Sequence, residues 1–169
     1  MAQLRWTDAL ALDFPVMDDT HREFVELLAV VNAGADDMLL AACRALVDHT
    51  DDHFSREDWW MQATGFSSAN CHSVQHKVVL QAMREGLDTG CHAGNFVGIR
   101  QMAGELAVWF AQHAQSMDAA FALHLRSAGF DPLTGTVATL GALPVRSIQG
   151  CGSASCSDTN ARQAAAEPA

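Results

Sequence analysis

Histidines and carboxylates recur in four short stretches of this sequence: His21, then His53 with Glu57, then His72 with His76, then His113 with Asp118. Imidazole nitrogens and carboxylate oxygens are metal ligands, so the pattern asks whether the stretches meet. Residues four apart on an α-helix lie nearly one above the other. His53 and Glu57 therefore share a helix face, as do His72 and His76. His113 and Asp118 are five apart, about 140° around an α-helix, so one side chain must lean to join the other. The intervals between stretches accommodate a full helix and a turn. Helices that each aim ligands at one interior point would build a metal site inside a bundle.

The ligand types restrict the metal. Calcium and magnesium favour oxygen, which a histidine-rich set argues against. Structural zinc takes four ligands, often thiolates. Five imidazoles and two carboxylates suit two metals, with the carboxylates bridging. Iron accepts such mixed ligation. A ferritin-like di-iron site would need two Glu-x-x-His motifs, and the chain contains none.

The elements that would carry these ligands are helical. Residues 1–17 read as an extended arm, with Trp6, Leu10, Leu12, Phe14 and Val16 offering apolar contacts. Thr20-x-x-Glu23 has the form of a capping box, with Asp18 or Asp19 as alternative caps. A first helix then runs to about Asn32, and Gly34 breaks it. A second runs from about Asp36 to Ala63, ended by Thr64-Gly65. A third runs from about Ser68 to Leu87, with Val74, Val78, Val79 and Met83 as core candidates and Asp88-Thr89-Gly90 as a turn. A fourth runs from about Phe96 to Ser127, stopped by Gly129 and Pro132. The predicted architecture is all-α: an up-down-up-down four-helix bundle over 18–130 with an N-terminal arm. Residues 131–169 read as a flexible, disordered tail, because large apolar groups become scarce there.

With 169 residues, one domain is the default, and hydrophobic residues at 49% suffice for a core. The net charge of -10 and the lack of a basic stripe argue against nucleic acid. No apolar run approaches the roughly 18 residues of a membrane span, and the charged N-terminus does not read as a signal peptide. Five cysteines, an odd number without framework spacing, fit a reducing cytoplasm.

Four stretches now resemble a known family: Asp-Asp-Thr-His21-Arg-Glu-Phe; His53-Phe-Ser-Arg-Glu57-Asp-Trp-Trp-Met; His72-Ser-Val-Gln-His76; and Trp109-Phe-Ala-Gln-His113 running on to Asp118. In order and type they are similar to hemerythrin in its bacterial single-domain form, from about Trp6 to Arg126. The resemblance implies a non-haem di-iron centre that binds dioxygen reversibly. His72, His76 and His113 would hold one iron, and His21 and His53 the other. Glu57 and Asp118 would bridge them, with an oxo or hydroxo group from solvent. One position on the second iron would stay open for dioxygen, and Phe24, Trp109 and Phe110 are candidates for the apolar wall around it. The sequence departs from the family pattern at His49, where a Tyr is frequent, and at Phe110, where a Leu is frequent.

The expected role is therefore oxygen carriage, storage or delivery rather than catalysis, with an oxygen-consuming protein as a possible partner. Alternatives are a sensor acting through a partner, and a peroxidase or nitric-oxide-handling enzyme, for which no second acid/base set stands out. The remaining histidines have plainer readings: His49 as a hydrogen-bonding neighbour of the site, His92 as a surface residue, and His124 near a helix C-terminus. Of Trp59 and Trp60, one should pack and one should face solvent. Met61, Met83, Met102 and Met117 read as core filler. Cys151 and Cys156 read as incidental thiols of the tail.

Overall fold

The structure is a computed structural model that describes residues 4–66 and 71–148. Its helices are α1 (Pro15–Ala33), α2 (Asp36–Ala63), α3 (Cys71–Ala93), α4 (Phe96–His113) and α5 (Ala119–Ala128). A π-helical turn, Ala114–Asp118, joins α4 to α5. α1 packs on α2, α2 on α3, α3 on α4 and α4 back on α1, as expected of a four-helix bundle with short connections. Among the described residues, no helix is long and apolar enough to cross a membrane.

The first helix starts earlier than its capping-box signature predicts. Pro15 occupies the first turn, where its missing N–H costs nothing. The Asp18 carboxylate accepts the backbone N–H groups of Leu12 (2.7 Å) and Phe14 (3.2 Å). It thereby ties the arm to the helix and satisfies the N–H of the N-cap residue Phe14, which the helix start leaves over. Thr20 lies inside the helix, its hydroxyl donating to Val16 O. Among the described residues of the arm before the helix, Asp8–Leu10 forms a short 3-10 turn.

The second helix keeps its predicted bounds, with Gly65 just beyond it at φ 72°. The third differs. Asp88-Thr89-Gly90 is helical rather than a turn, and the helix stops at Gly94 with φ 61°. Gly90 is there for proximity: a Cβ would come within 2.4 Å of Ile99 Cδ1 and 3.3 Å of Leu40 Cδ2. Val74 and Val78 are exposed, not core; α3 turns His72, His76, Leu80, Met83 and Leu87 inward instead. Its expected start at Ser68 lies outside the described residues.

Two apolar clusters divide the interior. One contains Phe24, Leu28, Leu46, Phe54, Met83, Ile99, Leu106 and Phe110. The other contains Phe14, Met17, Trp60, Met61, Phe66, Phe121 and Leu125. Along α1 the chain passes Met17, His21, then Phe24. Along α2 it passes Phe54, Glu57, then Trp60. Along α4–α5 it passes Phe110, His113, Asp118, then Phe121. The histidines and carboxylates thus sit in the layer between two dry clusters. Trp60 is 1% exposed and Trp59 48%, dividing the tryptophan pair as the sequence predicts. Met61 and Met83 are fully buried, while Met102 and Met117 are only partly so.

Residues 131–148 fold back onto one end of the bundle. Phe130 bridges to Val137, and Ile148 N–H donates to Gly65 O at 2.9 Å. Gly135 lies against the Trp59 ring, where a Cβ would come within 2.6 Å of it. Cys151 and Cys156 lie outside the described residues.

Candidate metal centre

All seven residues singled out by spacing converge and are buried. They form two groups: His72, His76, His113 and Asp118; and His21, His53 and Glu57, each with its potential ligand atoms within 4.8 Å of one another. The two carboxylates link the groups. Asp118 Oδ1 lies 2.9 Å from His72 Nε2 and 3.1 Å from His113 Nε2, while its Oδ2 lies 3.3 Å from His21 Nε2. Glu57 Oε2 lies 3.4 Å from both His72 Nε2 and His76 Nε2, while its Oε1 lies 3.7 Å from His53 Nε2.

The π-turn explains how the five-residue step works. An α-helix would place Asp118 well around from His113. One turn of wider i→i+5 winding returns Asp118 to the same face. Such turns recur at functional sites because they redirect one side chain without breaking the helix. The helix then resumes as α5 and buries Phe121 and Leu125.

The electrostatics of the protein alone are unbalanced. Among the described residues, only imidazoles lie within ion-pair distance of Glu57 and Asp118. Both oxygens of each carboxylate, and both ring nitrogens of His21 and of His72, lack a hydrogen-bond partner. Buried polar atoms left so cost about 1–3 kcal/mol each, and more when charged. Burial and the nearby Asp118 charge push Glu57 up to about 7. Burial opposes charge on His72, but the adjoining Asp118 and Glu57 carboxylates raise it to about 10. Burial pushes Asp118 upward too, yet His113, His72 and His21 hold it well below the usual carboxylate range. Burial keeps His21, His53 and His76 below the ordinary imidazole value, hence in the neutral form that can ligate.

This donor set fits metal ions. Positive charge between the groups would satisfy the orphaned oxygens and nitrogens together. His76 Nε2 and His113 Nε2 stand 3.1 Å apart. Two nitrogens that bind one ion at about 2.1 Å and near a right angle are separated by about 3 Å.

The surroundings divide between the groups. Phe110 meets His21 edge-on (5.0 Å between centroids) and stacks on Phe24 (4.6 Å). Trp109 does not join them; it stacks on His113 (4.5 Å) and meets Phe54 edge-on. Phe54 stacks on His76 at 3.9 Å. His49 is not part of either group; its Nε2 lies 3.1 Å from Thr20 O, one residue before His21. His92 is exposed, and His124 Nε2 lies 3.0 Å from Thr64 O.

Two neighbours escaped sequence reasoning. Gln75 Oε1 lies 3.2 Å from both His113 Nδ1 and Trp109 Nε1, and Asp58 Oδ1 lies 3.8 Å from His76 Nδ1. The four-residue step from Trp109 to His113 was a usable signal for the stacked pair. Nothing in the sequence distinguishes Gln75 or Asp58 from other polar residues beside a ligand.

Comparison with known proteins agrees with this geometry. The hemerythrin HHE cation binding domain matches residues 13–123. The chain is 33% identical over 131 residues to the bacteriohemerythrin of Ralstonia nicotianae, across 78% of this chain and 95% of that protein. It is 28% identical to that of Pseudomonas paraeruginosa, across 72% and 80% of the two chains. It is also 28% identical to that of Stenotrophomonas maltophilia, across 72% and 81%. No solved structure gave a significant match. With a matching domain that includes every residue of the buried cluster, the chain belongs to the hemerythrin family.

Proposed function

We propose that this protein binds dioxygen reversibly at a pair of non-haem irons, as a carrier, store or delivery module of the cytoplasm. His72, His76 and His113 would hold one iron, and His21 and His53 the other. Glu57 and Asp118 would contribute to both. The observation that carries this reading is the division of each carboxylate, one oxygen toward each histidine group. When bound, iron supplies the electrons and the open coordination position that dioxygen requires.

The protein's own contribution follows from charge and burial. An imidazole bound to a metal is neutral and adds no negative charge, so the ferric state would be favoured less than in a carboxylate-rich site. Three imidazoles would hold one ion and two the other, so the His21/His53 side would be a ligand short. Phe110 and Phe24 pack beside His21 and keep water from that side. A dry wall limits proton entry, which would otherwise promote irreversible oxidation. Cytoplasmic placement rests on the odd cysteine count and the lack of disulfide-framework spacing.

Iron analysis of purified variants tests the ligand set. The wild type should hold two irons per chain. His53→Ala and His76→Ala should each lose iron from one group. Full loading of both variants would refute the assignment.

A further inference from the structure

We propose that Gln75 and Trp109 act as a positioning pair that fixes the tautomer of His113 and aims its Nε2 lone pair at the cluster. The proposal rests on the reading of His113 as an iron ligand. An indole N–H can only donate, so the amide atom facing Trp109 Nε1 must be the Gln75 carbonyl oxygen. That oxygen also lies 3.2 Å from His113 Nδ1. To bond to it, Nδ1 must carry a hydrogen. A neutral imidazole has one N–H, so Nε2 is left with its lone pair. Nε2 is the atom that lies 3.1 Å from Asp118 Oδ1 and 3.1 Å from His76 Nε2.

The logic runs one way: the indole sets the amide, the amide sets the imidazole, and the imidazole presents its lone pair. A carbonyl oxygen has two lone pairs, so both donors are satisfied at once. Trp109 precedes His113 by one turn of α4 and holds the ring plane by stacking, 27° from parallel. Gln75 reaches across from α3, so the pair also joins α3 to α4.

The need for such a device is visible beside it. A surface cleft of about 400 Å³, lined by Val74, Gln75, Val78, Trp109, Gln112 and Ser116 among others, brings solvent to the outer edge of His113. Water there can accept or donate, and so would support either tautomer. Gln75, with its orientation set by Trp109, can only accept. By contrast, His76 Nδ1 faces Asp58 at 3.8 Å, too far for a hydrogen bond.

Two measurements test the proposal. Without a metal the Asp118 carboxylate, which can only accept, competes for a proton on His113 Nε2, so the tautomer is read in an Asp118→Asn background, whose amide can donate to Nε2. In long-range ¹H–¹⁵N spectra of that metal-free protein at alkaline pH, His113 should be in the Nδ1–H form when Gln75 is present, and added Gln75→Leu should give a mixture. Competition of ferrous iron against a chelator reports affinity. Gln75→Leu should bind about 10- to 100-fold more weakly, the usual effect of losing a hydrogen bond behind a metal-ligating histidine. Gln75→Glu, which keeps the acceptor, should bind within a few-fold of wild type. Trp109→Phe keeps the stacked ring but frees the amide to turn, and should fall between the two. Unchanged tautomer and affinity in Gln75→Leu would overturn the proposal. So would a Gln75→Glu variant as weak as Gln75→Leu, which would mark a packing role. If Gln75→Leu fails to fold, Trp109→Phe decides by the same two readouts. A wild-type protein that binds no iron would instead overturn the ligand assignment, and the tautomer result would still be read independently.

Discussion

His113 Nε2 and Asp118 Oδ1 stand 3.1 Å apart although five residues separate them, because the chain between them is wound as a single π-turn. On a regular α-helix the position four residues after His113 would face the cluster, and here Met117 occupies it. The π-turn is what brings Asp118 to the buried cluster. Exchanging the two residues, Met117→Asp with Asp118→Met, should therefore lose at least one iron per chain. Far-UV circular dichroism should show the bundle retained. A swapped variant with two irons would mean that the turn readjusts freely to present either position.

His49 lies one helical turn before His53 and meets a backbone oxygen, not the cluster. His49→Ala should keep two irons and lose about 0.5–1.5 kcal/mol of stability, the value of one hydrogen bond. Denaturant titration together with iron analysis checks both halves. Loss of iron from His49→Ala would move the site one turn along α2.

Phe110 is buried between Phe24 and His21. Phe110→Ala should destabilise the fold by about 3–5 kcal/mol through lost burial and the cavity left behind. The same cavity admits water beside His21, so the variant should oxidise irreversibly several-fold faster in air. Unchanged oxidation in a folded Phe110→Ala protein would remove this side chain from the account.

His124 gives a pH effect remote from the seven clustered residues. Burial lowers its pKa below the ordinary imidazole value, partly offset by the hydrogen bond to Thr64 O. The unfolded chain therefore takes up a proton first as pH falls. Stability from this group is complete above the unfolded value near 6.5 and is lost as pH drops from there through the lowered folded value. Thermal melts between pH 7 and pH 5 should show a shallower decline for His124→Gln than for wild type. Equal slopes would show that His124 does not report on folding.

The bundle and most of the candidate ligands were legible in the sequence for the same reason: both follow helical periodicity. The i, i+4 pairs His53–Glu57 and His72–His76 are geometry already written in the spacing. Asp118 was harder to place, since a π-turn leaves no periodic trace; its five-residue step is accepted because the family resemblance and a bridging role both ask for a carboxylate there. Gly90 misled because glycine reads as a turn, whereas here it lets α3 approach Ile99 and Leu40. Val74 and Val78 misled because apolar type alone does not fix which face of α3 turns inward. Residues 131–148 lacked the apolar density of the helices, yet they dock through a few specific contacts such as Gly65–Ile148 and Gly135–Trp59. Gln75 could not be found, because its role depends on a neighbouring helix.

The central claim is tested most directly by cycling the reduced, iron-loaded protein between air and argon while recording its visible spectrum and iron content. The account predicts two irons per chain and a charge-transfer band that appears with dioxygen and disappears when it is removed, over repeated cycles. Irreversible oxidation on first exposure, with no band that can be reversed, would contradict it.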